Sequence, residues 1–253
     1  MDISDPNTLL LILAGPVAGS FFGLAADRLP RDESIVAPRS HCRACGISLG
    51  PRDLVPILSF VLSRGRCRHC GAPIPAWLFY VEILATGLGL IAALLATSPA
   101  EAWAGALLLW LLMALAAADL RHFRLPDLLT GGLFLTAMAL AWISGRPSLP
   151  EALWGAAIGL GSFLLLRLGY QWLRGREGLG MGDVKLMAGL GAAIGPEMLA
   201  HMVLFAALAA LAAAVAQAAR SGRRTLDAAH ALPFGAALSA AAAILWIALR
   251  LPV

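Results

Sequence analysis

An all-α polytopic membrane protein of about eight spans is the fold class this sequence predicts, and three observations carry it. Hydrophobic residues make up 60% of the 253 and charged ones 13%, against about 45–50% and 25% in an ordinary soluble domain. Mean hydropathy is +0.80. Near-continuous apolar runs, most of them of about 17–25 residues, the length that crosses a bilayer as a helix, recur along the chain.

The runs fall at 8–29, 75–98, 101–118, 125–144, 149–170, 185–197, 198–219 and 230–251. The first is expected to be retained, because it is long and its "GSFFG" and "RLP" flanks lack a small-residue cleavage pattern. The sixth is short for a span. Basic residues then set the orientation, since short cytoplasmic loops are enriched in them. With the N-terminus outside, Arg28, Arg31, Arg39, Arg43, Arg52, Arg64, Arg66 and Arg68 fall inside, as do Arg121, Arg124, Arg167, Arg174, Arg176, Lys185, Arg220, Arg223 and Arg224. Arg146 and Arg250 stay outside. Both termini are therefore expected to be periplasmic, and the pI near 9.2 reflects inner-leaflet charge, with no nucleic acid needed as a partner.

Residues 30 to 74 form the one long polar stretch, which reads as a small cytoplasmic subdomain. It holds all four cysteines of the chain, as Cys42-x-x-Cys45 in "HCRACG" and Cys67-x-x-Cys70 in "GRCRHCG". Two CxxC pairs satisfy a tetrahedral Zn2+, each pair giving two thiolates from one tight turn, with Gly46 and Gly71 freeing the turn geometry. Iron and disulfides are the alternatives; a reducing cytosol disfavours the disulfides. The metal is structural, because so short a loop has too little apolar surface to fold alone.

Acids at span ends need a reason, because burying them in a bilayer is costly. They are Asp27, Glu82, Asp119, Asp127 and Asp183. In "LLMALAAADLRHFRLPD" Asp119 ends the third run and Asp127 begins the fourth; in "GLGMGDVKLM" Asp183 opens the sixth. Asp119 and Asp183 thus reach one membrane face from different helices. Two carboxylates sharing a site share a proton, so the anionic one can deprotonate a water and the protonated one can hydrogen-bond a peptide carbonyl. Gly178, Gly180 and Gly182 give a backbone that a substrate chain can approach, and Lys185, the only lysine, anchors the segment or biases Asp183. The plainer readings are a helix-starting acid for Asp183, a solvated interface pair for Asp119 and an "LPD" cap for Asp127.

These residues resemble the type IV prepilin peptidases, bifunctional leader peptidases and N-methyltransferases of bacterial pilus and type II secretion systems. The likeness runs through "GSFFGLAADRLPR" at 19–31, the paired CxxC loop, "SRGRCRHCGAPIP" at 63–75, "YVEI" at 80–83, "DLRHFRLPD" at 119–127 and "GMGDVK" at 180–185. It implies that Asp119 and Asp183 are catalytic, the latter in the Gly-x-Gly-Asp pattern of Gly180 and Gly182; Lys185 and Asp127 are the further supporting candidates from the reading of the residues themselves. It also implies an inner-membrane enzyme that cuts a basic leader from prepilins or pseudopilins after glycine, then methylates the new N-terminus with S-adenosylmethionine. The chain departs from the family pattern at Gly23, at Ser59-Phe60 and at Tyr80, all in the half associated with methyl transfer, so a peptidase without methyltransferase activity is the alternative. Residues 1–98, with the zinc loop, are expected to be the methyltransferase part, and 99–253 a six-span aspartyl peptidase domain. Glu82 is the methyl-transfer candidate; its plainer reading is a pair with Arg66 or Arg68.

Two readings of other classes stand beside this one. A small ion-coupled transporter would carry its acids near mid-span and reachable from both sides. A zinc-loop scaffold would tolerate asparagine at both aspartates. Gly155, Gly159 and Gly161 in the fifth run are read as close helix packing. The oligomeric state is not legible.

Overall fold

The computed structural model describes residues 5–176, 178–220 and 232–251. Among the described residues the regular structure is all helical, with α1 Pro6–Arg28, α2 Leu58–Leu62, α3 Ala76–Leu95, α4 Pro99–His122, α5 Asp127–Ser144, α6 Leu149–Arg174, α7 Met181–Ile194, α8 Pro196–Arg220 and α9 Phe234–Ala248. Each apolar run of the sequence has become one of these helices. Among the described residues α1, α3, α4, α5, α6 and α8 are long and apolar enough to cross a membrane, and α9 is a shorter apolar helix. The loop arginines Arg223 and Arg224, the start of the eighth run and both chain termini lie outside the described residues.

Local sequence sets the helix ends. Asp5 accepts the amides of Asn7 (3.1 Å) and Thr8 (3.3 Å) ahead of Pro6, so α1 starts on a capped turn. In "SLPE" the Ser148 amide donates to Glu151 at 2.8 Å, one half of a capping box that opens α6. Gly145 and Gly175, both in the left-handed region, stop α5 and α6.

The chain divides into two compact units at Trp110 and Leu111, inside α4. In the first unit α1 and α3 meet backbone to backbone. A Cβ on Gly15 would lie 2.5 Å from the Thr86 Cα, and one on Gly19 2.5 Å from the Glu82 Cα. Trp110 closes the pair, donating its indole N–H to the Ala85 carbonyl at 2.8 Å beside Phe22. At the end of α1 the buried Arg28 gathers the following loop by donating to the carbonyls of Ser34 and Pro38, both at 3.0 Å.

In the second unit the short α7 is the core. It has 14 residues, about 21 Å of helix, less than the roughly 30 Å of hydrocarbon in a bilayer. Its apolar residues run all the way round, and Val184, Leu186, Met187, Leu190, Ala192, Ala193 and Ile194 are all buried. A helix of that pattern is stable only when enclosed, and α5, α6 and α9 pack against it. Glycine makes the α6 contact: a Cβ on Gly155 would sit 2.1 Å from the Gly191 carbonyl oxygen, and one on Gly159 2.4 Å from that of Met187. Gly161, expected to share this role, does not, since a Cβ there would meet nothing within 4 Å. Gly155→Ala is therefore expected to destabilise by about 1–3 kcal/mol through overpacking, whereas Gly161→Ala leaves stability equal or slightly higher. Thermal midpoints of the two detergent-solubilised variants check this, and equal losses would contradict it.

Candidate active site and metal centre

Asp119 lies in the last turn of α4 and is buried, with 7% exposure. Its Oδ2 accepts the Ala236 amide at 2.8 Å, and the Gly235 amide also donates to the carboxylate. These are amides of the first turn of α9, whose N-cap, Pro233, offers no side-chain cap. Asp119 therefore caps α9 from another helix, and the positive end of the α9 dipole favours charge on that carboxylate. Asp183 is in the first turn of α7, where its carboxylate accepts the Gly180 amide.

The two acids meet. A Cβ on Gly235 would lie 3.2 Å from Asp119 Oδ2 and 3.2 Å from Asp183 Oδ1, so the two oxygens are no further apart than twice that distance. Residues 123–126 between α4 and α5 bring Leu125 over the pair: a Cβ on Gly235 would come within 2.8 Å of its side chain, and one on Gly182 within 3.0 Å. Gly235, Ala236 and Leu125 were not singled out from the sequence. The signal for the first two was "LPFG", a proline-led helix start.

The glycines and the lysine behave differently from expectation. Gly180 is the extended N-cap of α7, but Gly182 lies inside the helix. Gly178 is pressed against Tyr170, whose ring would sit 2.4 Å from a Cβ there. Arg167 on α6 holds the same segment by donating to the Leu179 carbonyl at 2.5 Å. Two of the three glycines thus serve packing of this chain on itself. Lys185 reaches Asp127 at the start of α5, with 2.7 and 2.8 Å to its two carboxylate oxygens, so its charge is engaged there. Both partners are well exposed, and such pairs contribute little. Lys185→Met is expected to lower stability by no more than about 1 kcal/mol. Asp127→Lys, which sets two cations face to face, should cost more, and adding Lys185→Asp should restore it; four melting curves decide.

In the first unit the four cysteines come together. Their sulfurs all lie within 4.8 Å of one another, with Cys42 and Cys70 at 3.8 Å. A tetrahedral zinc with bonds of about 2.3 Å has sulfur edges of about 3.8 Å, so the cluster fits that metal. All four are free thiols. Each CxxC forms the same turn: Gly46 donates to the Cys42 carbonyl and Cys42 to that of Ile47, while Gly71 donates to Cys67 and Cys67 to Ala72. Gly46 and Gly71 have φ of +70, and a Cβ on either would touch nothing, so the requirement is the backbone angle. Amides of Cys45 and Ala44 hold the Cys42 thiol down to about 6. Although the Ala72 amide favours its thiolate, desolvation and the neighbouring sulfurs push Cys70 up to about 11; a cation among them relieves that conflict.

Beside the cysteines is a cavity of about 770 Å3, walled by Val17, Phe21, Leu24, Phe60, Phe79 and, at one side, Glu82. Glu82 does not pair with a loop arginine. Its Oε2 accepts the Ile57 amide at 2.6 Å, Ser20 bonds the same carboxylate, and Arg68 instead lies 3.2 Å from Asp53. Asp27, also on the wall, pairs with Arg31 at 2.6 Å and with Arg43 of the first CxxC turn. His41 points to the Arg39 carbonyl.

Fold and site together define a polytopic membrane protein with two acids meeting at the ends of facing helices and a separate four-cysteine loop. Residues 13–96 match the bacterial peptidase A24 N-terminal domain and residues 106–215 the type IV leader peptidase family. The chain is 39% identical over 202 residues to the prepilin leader peptidase/N-methyltransferase of Myxococcus xanthus, covering 79% of this chain and 60% of that one. It is 38% identical over 220 residues to that of Burkholderia pseudomallei strain 1026b, covering 87% and 70%. With the Dickeya chrysanthemi protein of the same name it shares 34% over 224 residues, 79% of each. The chain belongs to the type IV leader peptidase family. It spans between three fifths and two thirds of the length of the Myxococcus protein and of a related Escherichia coli leader-peptide-processing enzyme. No solved structure matches it.

Proposed function

We propose that this chain is an aspartyl endopeptidase of the bacterial inner membrane that cuts the basic leader from type IV prepilins or pseudopilins after glycine, at the cytoplasmic face. The observation that carries the reading is the meeting of the Asp119 and Asp183 carboxylates around Gly235. They share one proton. The α9 amides bias the charge towards Asp119, which takes a proton from water as the water oxygen bonds to the scissile carbonyl carbon. Asp183 holds the other proton, donating a hydrogen bond to the carbonyl oxygen. The C–N bond then breaks as the leaving amine gains a proton from the pair, which returns to its starting state. Residues 99–253 carry this chemistry, with Gly180, Gly182, Lys185 and Asp127 shaping the turn around Asp183.

Residues 1–98 are assigned to N-methylation of the new N-terminus. Cys42, Cys45, Cys67 and Cys70 would hold a structural zinc, which closes the loop at 30–74 when bound. S-adenosylmethionine, the methyl donor, carries a sulfonium and an ammonium; Glu82 on the cavity wall is the anionic group suited to them, and the apolar wall keeps water from the transfer. Glu82→Gln is expected to abolish methylation while leaving cleavage intact. The test is mass spectrometry of a substrate with a basic leader followed by Gly-Phe, incubated with membranes holding this protein and S-adenosylmethionine. A product cut after glycine and one methyl heavier supports both halves. Intact substrate across a panel of such leaders would defeat the reading.

A further inference from the structure

We propose that residues 54–62 form an interfacial anchor that lies in the headgroup region of an anionic bilayer. The inference rests on the first unit alone and does not depend on the peptidase reading. In "LVPILSFVL" the residues Leu54, Val55, Leu58, Val61 and Leu62 are 45, 44, 52, 55 and 68% exposed. Single exposed apolar residues are ordinary, but five within nine positions make a patch that needs a cover. On α2 the outward ones are Leu58, Val61 and Leu62, at i, i+3 and i+4, so they share one helix face.

Two contacts fix the depth of this segment. The Ile57 amide donates to Glu82 at 2.6 Å, and Phe60 stacks on Phe79 with ring centroids 4.7 Å apart. Phe79 and Glu82 belong to the first two turns of α3, which starts at Ala76. At 1.5 Å per residue they lie about 5 and 9 Å into that span. Residues 57–60 are thus held alongside a membrane helix below the level at which it begins, the depth that interfacial helices occupy. The backbone is bent to reach it. Ile57 sits at φ 62, ψ −56, and the Leu58 amide donates to the Pro56 carbonyl at 2.6 Å, which is a γ-turn of the rare positive-φ form. A β-branched residue keeps that conformation only when its surroundings hold it there, and Glu82 is the clamp. Charge selects lipid as the cover: Arg52 precedes the segment, Arg64 and Arg66 follow it, and no acid occurs between Asp53 and Glu82. Cations flanking an apolar face complement anionic headgroups.

The test uses the full-length chain in nanodiscs of phosphatidylethanolamine and phosphatidylglycerol, with a fluorescent amino acid at position 61 or 62, and at the exposed position 48 as reference. Lipids with a nitroxide on acyl carbon 5 should quench positions 61 and 62 at least about threefold more than position 48. The two positions are read in parallel, so that one misfolded variant does not decide the result. Replacing phosphatidylglycerol by phosphatidylcholine should weaken the quenching. Equal quenching at all three positions would overturn the proposal. So would a photo-crosslinker at position 62 that, in native membranes, captures a protein and no lipid.

Discussion

Asp119→Asn and Asp183→Asn are each expected to lower leader cleavage by about 10³-fold, within the range that general acid–base groups contribute. The argument is one of charge and not of shape. Asparagine at 119 still offers an oxygen to the Ala236 amide, so the α9 cap and the fold survive, but the site can no longer hold an anion and a shared proton. The double variant should be no slower than either single one, because two groups acting as one unit are not additive. Cleavage rates from mass spectrometry, paired with melting curves, separate lost chemistry from lost fold. A stable Asp183→Asn protein that cleaves at the original rate would remove the paired-acid mechanism. A Gly235→Ala protein gives the complementary reading. Its charges are intact, but its new methyl would lie 3.2 Å from both carboxylates and 2.8 Å from Leu125, so it should lose activity by spreading the site.

How much of this was legible in sequence differs between its parts. Helix positions were, because composition forces backbone hydrogen bonds inside a bilayer to close within each segment, and an apolar run then has one regular solution. The four cysteines were, because two CxxC turns at φ +70 are local structures written by Cys-x-x-Cys-Gly. The meeting of Asp119 with Asp183 could be expected only from their shared membrane level. What holds them is non-local: the capping partner of Asp119 is the start of α9, more than a hundred residues away, and nothing in "ALPFG" signals which acid will sit on it. Lys185 was readable as an unusual residue, yet its partner Asp127 depends on how α5 packs on α7. The fate of Glu82 was hidden for a similar reason, since its contact is the amide of Ile57, and a backbone donor leaves no mark in the sequence pattern. Gly155 and Gly161 look alike as letters, and only the helix face they occupy tells them apart.

Removing the metal is expected to unfold the loop at 30–74 and to stop methyl transfer while cleavage continues. Binding of structural zinc to four thiolates is worth about 10–16 kcal/mol near neutral pH, as large as the whole stability of an ordinary domain, and the loop has little else. Cys67 is the single buried cysteine; Val36, Ile47 and Leu54 are exposed. Its contacts include the hydrogen bonds of the two CxxC turns, the hold of Arg28 on Ser34 and Pro38, the pairs of Arg43 with Asp27 and Arg68 with Asp53, and the Ile57–Glu82 and Phe60–Phe79 contacts with α3. None would replace a metal tying Cys42 to Cys70. Chelation, or Cys67→Ser, should therefore open the loop to trypsin at Arg39, Arg43, Arg52 and Arg64, with digestion faster by at least about tenfold. Loss of the loop would also remove Phe60 from the cavity wall and the Ile57 amide from Glu82, so the cavity proposed for the methyl donor would lose one side. The prediction distinguishes the two proposed activities, because Asp119 and Asp183 lie in the other unit, Leu111–Val253, which contains no cysteine. Metal content, proteolysis and both product masses can be read from one preparation. A loop that stays resistant to trypsin after its metal is gone, with methylation undiminished, would mean that the cysteines do not carry the fold.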